Sequence, residues 1–172
     1  RYGRSDGERV LRARRLVEAG VRVVTFDWGG WDTHERNFVQ LRTQLPKLDT
    51  AMSALIQDLH DRGMADDVTI VMWGEFGRTP RISKIPSAKL AGRDHWGAVQ
   101  SVLVAGGGYR HGQVIGSTND KAEYPTSRKV GVEDFCAIVY HALGLRTDDT
   151  VIDPSGRPTH LVPGGEVPRE ML

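Results

Sequence analysis

The sequence is poor in cysteine, in long apolar runs and in charge of one sign. Cys136 is its only cysteine, so no internal disulfide can form, and its apolar neighbours indicate a buried, unreactive thiol. No apolar run approaches the roughly 20 residues of a membrane-spanning helix. The 23 Lys and Arg residues face 22 Asp and Glu residues, which leaves a net charge of +1. Because a basic surface binds a phosphate backbone, this balance of charges predicts no nucleic-acid partner. The lack of a long apolar run predicts no membrane span.

Several common catalytic motifs are also missing. The chain has no phosphate-binding loop ending in Gly-Lys-Ser/Thr, no Gly-x-Ser-x-Gly elbow, no Cys-x-x-Cys pair and no His-Glu-x-x-His. No signal peptide is visible, and the first residue is Arg1 rather than Met. We therefore expect a piece of a longer protein. Periplasmic export is compatible with this, and the sequence leaves compartment and oligomeric state open.

What the sequence does contain predicts one α/β domain over residues 1–172, with a layered, mostly parallel sheet and flanking helices. Apolar, β-branched runs predict strands, and apolar residues at helical spacing predict helices. The predicted strands are 21–26, 68–73 and 101–105, and the predicted helices are 7–19, 46–62 and 133–143. The tail over 148–172 is rich in Pro, Gly and Asp and is expected to form an irregular strap.

Polar residues with glycines cluster in three short segments, 27–34, 74–80 and 92–96. The first two directly follow predicted strands, and ligands of α/β folds bind outside the carboxyl ends of strands. We therefore expect the carboxylates and imidazoles of these segments to form a metal site. The candidate ligands are Asp32, His34, Glu75, Asp94 and His95.

Each segment also has a simpler interpretation. Residues 27–34 could form a polar turn, Glu75 could make an ion pair with Arg78, and His95 could be solvated in a loop. Asp94 and His95 are adjacent and point apart in an extended chain, so one could bind the metal while the other orients a ligand. The remaining histidines, which lie at 60, 111, 141 and 160, are predicted to stand outside the site.

Arginine and ligand chemistry suggest what the site would bind. Arg78 and Arg93 are candidate clamps for phosphate or sulfate oxygens, because guanidinium binds such groups through two hydrogen bonds. Carboxylate with imidazole suits zinc, manganese or iron better than calcium. Zinc or manganese is the expected divalent ion, and calcium remains compatible.

These motifs resemble one known family. Trp-Asp-Thr-His at 31–34, Gly-Glu-Phe-Gly-Arg-Thr-Pro at 74–80 and Gly-Arg-Asp-His-Trp at 92–96 look like the carboxy-terminal half of the bacterial domain-of-unknown-function 1501 family. The resemblance extends through Ala-Gly-Gly-Gly at 105–108 and Tyr-His-Ala-Leu-Gly at 140–144 and covers essentially the whole chain. The family is similar in fold to the alkaline phosphatase and sulfatase superfamily, so we expect part of such a domain.

The resemblance implies a two-metal hydrolase centre. Asp32 and His34 resemble the Asp and His pair on one metal, and His95 resembles the last histidine ligand. Phe76 stands where that superfamily has a histidine, and its nucleophile would lie upstream of this chain. The expected function is metal-dependent hydrolysis of small-molecule or glycan phosphate or sulfate esters. The alternative is a non-catalytic binding or scaffold protein that retains the fold.

Overall fold

The first third of the protein is a helical hairpin. The structure, a computed structural model, describes residues 1–172, with α1 at Asp6–Glu18 and α2 at Asn37–Asp61. Val10 and Ala51 are fully buried where the two helices pack together. Helix α1 confirms the helix predicted for residues 7–19, although Leu16 on its predicted apolar face is exposed.

A buried polar cluster locks the hairpin together. The Tyr2 hydroxyl donates to Asp58 Oδ2 at 2.7 Å, and the Arg14 Nε lies 3.0 Å from the same oxygen. Burial, together with the bond to the Asp58 carboxylate, raises the pKa of Tyr2 to about 12. The same hydrogen bond from Tyr2 holds the pKa of Asp58 below its usual range. The charged Asp58 is therefore satisfied on the inner side of α2.

Helix α2 is longer than the predicted 46–62, because it begins at Asn37 and carries Pro46 in its interior. Proline at 46 removes one hydrogen bond to the carbonyl of residue 42 but leaves the neighbouring turns intact. The expectation that Pro46 opens the helix is therefore wrong.

The strands form four separate antiparallel pairs. The pairs are β1 (Thr69–Met72) with β4 (Leu103–Gly106), β2 (Gly77–Arg78) with β3 (His95–Trp96), β5 (Ser117–Thr118) with β6 (Pro125–Ser127), and β7 (Thr150–Ile152) with β8 (Pro158–His160). The predicted layered, mostly parallel sheet is therefore wrong. A parallel pair needs a crossover, usually a helix, and residues 73–102 between β1 and β4 contain no helix.

The predicted strand at 21–26 is also wrong. No strand forms there, and residues 22–29 make no backbone hydrogen bond. Val23 and Phe26 are about half exposed, at 58% and 40%. The β-branched composition of this tract is typical of a strand, but a strand also needs a neighbour with which to pair.

The carboxy-terminal part packs on a second small core. Helix α3 spans Val132–Ala142, and Ile138 on this helix meets Tyr109 and Met171. The segment expected to be an irregular strap contains the β7–β8 hairpin and a 3-10 helix at Arg169–Met171. Cys136 is half-buried on α3 rather than fully buried.

The molecule exposes much more surface than its mass requires. Its accessible surface is 11,824 Å², whereas a compact chain of 19.0 kDa is expected to expose about 8,400 Å². Only 19 of 172 residues are buried, which accounts for the difference. None of the helices has both the length and the apolarity needed to span a bilayer.

Candidate metal centre

Three of the five predicted ligands meet at one point. Asp32 Oδ1 lies 2.9 Å from His34 Nε2 and 2.9 Å from His95 Nε2, and the two imidazole nitrogens are 3.1 Å apart. Asp32 and His34 precede α2, whereas His95 begins β3 and pairs with Arg78 of β2. Two segments some 60 residues apart in sequence therefore supply the cluster.

A glycine permits this approach of the two segments. A Cβ on Gly92 would lie 2.0 Å from the carbonyl oxygen of His34, which is far inside van der Waals contact. The backbone of residue 92 therefore packs directly on the backbone of residue 34. The Arg93 N–H also donates to the Thr33 carbonyl at 3.5 Å, so the loop before β3 is joined to the segment that carries His34.

Asp94 lies beside the cluster and orients one of its imidazoles. Its Oδ1 is 2.9 Å from His34 Nδ1, and its Oδ2 accepts a hydrogen bond from the Ser83 hydroxyl at 2.7 Å. These contacts, with His34 the larger, lower the pKa of Asp94 and keep it ionised. An ionised carboxylate only accepts, so His34 Nδ1 carries a proton towards Asp94, and His34 Nε2 is the nitrogen that faces Asp32 and His95.

Arg78 is bound to the cluster rather than to Glu75. Its Nη2 donates to Asp32 Oδ1 at 2.8 Å and to the Trp31 carbonyl at 2.9 Å, and its Nη1 donates to the Arg93 carbonyl at 3.2 Å. Hydrogen bonds from His95 first, and from Arg78 second, hold the pKa of Asp32 well below its usual range. Asp32 is therefore an anion whose charge Arg78 already balances in part.

Arg93 braces the hairpin that carries the site. Its Nε donates to the Thr79 carbonyl at 2.6 Å, and its Nη2 donates to the Arg78 carbonyl at 3.3 Å. Arg78 donates in return to the Arg93 carbonyl, so the two arginines bridge β2 and β3 in both directions. The structure thus uses much of their hydrogen-bonding capacity on the main chain.

Glu75 stands outside the cluster. It is exposed and makes no hydrogen bond or salt bridge, so the alternative Glu75–Arg78 ion pair does not form either. The next residue, Phe76, does reach the site, with its ring centroid 4.3 Å from that of His95. Sequence patterns gave no signal for this contact or for Ser83, because neither residue type is a metal ligand.

The threonines and the other histidines hold no position in the cluster. Thr33 is 2% exposed and its hydroxyl accepts from Asn37, so it turns inward from the two ligands that flank it. The Thr79 hydroxyl donates to the Arg81 carbonyl and accepts from the Asp94 N–H. Four histidines lie elsewhere, at 60, 111, 141 and 160.

The cluster is close to the geometry of a metal site. Two ligands of tetrahedral zinc, with bonds of about 2.0–2.1 Å, lie about 3.3 Å apart. The contacts of 2.9–3.1 Å would therefore open by a few tenths of an ångström around an ion. Two imidazoles and one carboxylate suit zinc, manganese or iron, whereas calcium prefers six to eight oxygens. The residues thus fit a transition metal with three protein ligands.

The family model described as "Protein of unknown function (DUF1501)" matches residues 1–172. The chain belongs to the DUF1501 family. No curated protein and no solved structure matches it. Two of the motif segments of this DUF1501 chain, 27–34 and 92–96, supply the cluster. The two arginines beside it come from segments 74–80 and 92–96.

Proposed function

We propose that this DUF1501 protein binds a divalent transition metal through Asp32, His34 and His95, and that the centre serves the hydrolysis of phosphate or sulfate esters. The observation that carries the proposal is the convergence of three donor atoms from distant segments within 4.8 Å of one another. Zinc or manganese is the ion that this donor set favours.

The number of protein ligands supports a catalytic rather than a purely structural centre. Structural zinc sites use four protein ligands, whereas catalytic ones use three and leave a position for water or substrate. An ion bound there would polarise an ester oxygen and lower the pKa of a nucleophile placed beside it. His95 and Asp32 are both exposed, so a ligand could reach the centre from solvent.

The arginines differ in what they could contribute to an ester. Arg78 adjoins Asp32 and has three N–H groups engaged out of five, so it can still contact an ester oxygen at the centre. Arg93 is directed at carbonyl oxygens, and we assign it the role of holding the β2–β3 hairpin. Glu75 would bind the metal only if its exposed segment moved towards the cluster.

We further propose that the chain packs as the carboxy-terminal part of a larger domain. The unpaired tract at 22–29 and the excess of exposed surface support this. A strand of the larger domain would pair with the tract, and the layer that covers that strand would bury the surface. A nucleophile would then come from that neighbouring part, since Thr33 and Thr79 are engaged elsewhere.

The second candidate is a binding or scaffold protein in which the metal only fixes structure. It is favoured by the lack of a free hydroxyl nucleophile at the cluster and by the contacts of Arg93, which go to main-chain carbonyls rather than to the cluster. The two candidates differ in activity but share the metal site.

Titration calorimetry of the purified chain with Zn²⁺ and Mn²⁺ tests the shared part of the proposal. His34→Ala and His95→Ala should each weaken binding at least tenfold, because each removes one of three ligands. His60→Ala is the matched control, since His60 is exposed on α2 and away from the cluster. Binding that none of the ligand variants changes would show that the metal site is wrong.

Assays on aryl phosphate and aryl sulfate separate the two candidates. The 172-residue chain alone should show no turnover, because nucleophilic catalysis needs an activated hydroxyl or thiol beside the metal. A longer DUF1501 protein containing this chain should hydrolyse one of the two esters, and His34→Ala should abolish that activity. Tight metal binding without hydrolysis in the longer protein would favour the scaffold role.

A further inference from the structure

One aromatic ring at the candidate metal centre belongs to neither of the two buried cores. Phe76 directly precedes β2, and its ring centroid lies 4.3 Å from that of His95, with the two ring planes 42° apart. The Phe76 side chain is 37% exposed and takes part in neither core cluster. One imidazole of the cluster is therefore in contact with a phenyl ring that is still open to solvent.

The backbone around Phe76 is closely packed. A Cβ on the next residue, Gly77, would lie 1.9 Å from the Val99 carbonyl oxygen, so the main chain here packs directly on the segment that follows β3. One residue further on, Arg78 pairs with His95 across the β2–β3 hairpin. Phe76 therefore extends from a backbone that is held against the strand carrying a proposed metal ligand.

An anion-binding side chain lies close to the ring. Arg78 donates to Asp32 and to two main-chain carbonyls, and it retains N–H groups that make no hydrogen bond. Guanidinium binds the oxygens of phosphate and sulfate, whereas an exposed phenyl ring is stabilised when another apolar ring covers it. The centre therefore offers a charged contact for the acid group of an ester and an apolar contact for its organic group.

We infer that Phe76 is a specificity-determining residue that selects esters whose organic group is an aromatic ring, and the inference rests on the proposed function of the centre. The ring of such an ester packs on Phe76 while its phosphate or sulfate group meets Arg78 and the metal ligands. A small alkyl ester leaves the Phe76 ring exposed and gains no affinity from it. One aromatic pair contributes about 2–12-fold in affinity beyond the area that it buries.

Calorimetry with two probes that cannot be hydrolysed tests the inference without any turnover. Phenylphosphonate and methylphosphonate share the acid group, so the ratio of their affinities for the Zn²⁺-loaded chain reports the contact of the organic group. The parent should prefer phenylphosphonate, and Phe76→Leu, which keeps the apolar bulk without the ring, should lower that preference by about 2–12-fold. Equal affinity of the parent for the two probes would overturn the inference whether or not any variant folds.

Two further variants separate recognition of the probe from support of His95. Phe76→Trp retains an aromatic ring and should retain the preference for phenylphosphonate. Tyr124→Leu is the matched control, because Tyr124 is exposed and its ring contacts Trp96 rather than the cluster. If Phe76 only supports His95, Phe76→Leu will weaken both probes equally and leave their ratio unchanged, which would contradict the inference.

A titration of the metal-free chain, followed by nuclear magnetic resonance, distinguishes failure of this inference from failure of the proposed function. Phenylphosphonate at millimolar concentration should shift the signals of the Phe76 ring and the Arg78 guanidinium, whereas methylphosphonate should shift only the guanidinium. If Zn²⁺ binds but the affinity ratio does not depend on Phe76, the role of Phe76 is wrong and the metal site stands. If no Zn²⁺ binds but phenylphosphonate shifts the Phe76 ring, the metal site is wrong and the aromatic contact stands. If neither binds, both are wrong.

Discussion

At the scale of single residues, Gly92 shows how closely the two halves of the site approach. Gly92→Ala would place a methyl group 2.0 Å from the carbonyl oxygen of His34, so the two segments must separate. We expect a loss of about 1–3 kcal/mol in the free energy of unfolding, which is typical of overpacking, together with weaker Zn²⁺ binding. Urea unfolding and calorimetry measure the two effects.

Gly97→Ala is the control for that substitution, because a Cβ at residue 97 would meet no atom within 4 Å. If Gly92→Ala and Gly97→Ala behave alike, the close contact between residues 92 and 34 is not a constraint on the protein.

Tyr2 makes the stability of the protein depend on pH in the alkaline range. Its pKa is about 12 in the folded state, against an ordinary value of 10.0, so folding favours the protonated hydroxyl. The stabilisation is fully present below pH 10 and is lost as the pH rises from 10 towards 12. Urea unfolding at a series of pH values should show this decline in the parent protein.

Tyr2→Phe should remove that decline and lower the free energy of unfolding at neutral pH by about 1.5–3 kcal/mol, the usual value of a hydrogen bond to a charged group. Tyr124→Phe is the matched control, since Tyr124 is exposed and its hydroxyl has no partner. A decline that persists unchanged in Tyr2→Phe would assign the pH dependence to another group.

The residue types of the cluster could be predicted from the sequence, but the network around them could not. Asp32, His34 and His95 carry carboxylate or imidazole groups, which are common metal ligands, so a motif can identify them. Ser83 and Phe76 have side chains that are not usual metal ligands, and their contacts depend on how the segment around β2 and β3 folds. The sequence leaves Asp94 as either a metal ligand or an orienting group, and its contact with His34 Nδ1 favours the second role.

At the scale of secondary-structure elements, Pro46 is an exposed interruption within α2. Its ring is not packed against the core, so Pro46→Ala should lose few contacts and regain one helix hydrogen bond. We expect the free energy of unfolding to rise by about 1–3 kcal/mol, because an interior proline costs a helix up to about 3 kcal/mol. Urea unfolding checks the gain, and far-ultraviolet circular dichroism checks the helix content.

Lys47→Ala should have almost no effect on stability, since Lys47 is exposed in the same turn and is also a good helix former. A loss of stability in Pro46→Ala would show that α1 and α2 need the local geometry that Pro46 gives to α2 in order to pack.

Local patterns predict the three helices and the strands β1 and β4, but neither the six short strands β2, β3 and β5–β8 nor the pairing of any strand. The apolar faces that mark α1 and α3 reflect spacing along a few turns, which the sequence displays directly. The direction of β4 relative to β1 depends on the path of residues 73–102. This segment contains no helix, and it returns the chain so that β4 runs antiparallel to β1. The absence of helical periodicity in that stretch was the available signal against a parallel pair.

At the scale of the whole molecule, the large exposed surface predicts weak dependence of stability on urea. An unfolded chain of this mass exposes about 27,500 Å², so folding buries about 15,700 Å² rather than the roughly 19,200 Å² of a compact protein. Because the m-value scales with the surface exposed on unfolding, it should be about a fifth lower than normal for this size.

Equilibrium urea unfolding, followed by circular dichroism at several protein concentrations, tests this expectation. A normal m-value that is independent of concentration would show that the isolated chain buries as much surface as a compact protein of its size. An m-value that rises with concentration would show that copies of the chain cover one another.

The distance in sequence between Asp32 and His95 has a consequence for the order of folding. Their contact joins residues 63 positions apart, and closing a loop of that length costs on the order of 4 kcal/mol of chain entropy. The turns of α1 and α2 need only contacts between residues three and four apart, so they can form before the cluster does, whereas the contact of Tyr2 with Asp58 spans 56 positions and has a similar loop cost. An ion that binds only the completed cluster should therefore slow unfolding more than it speeds refolding.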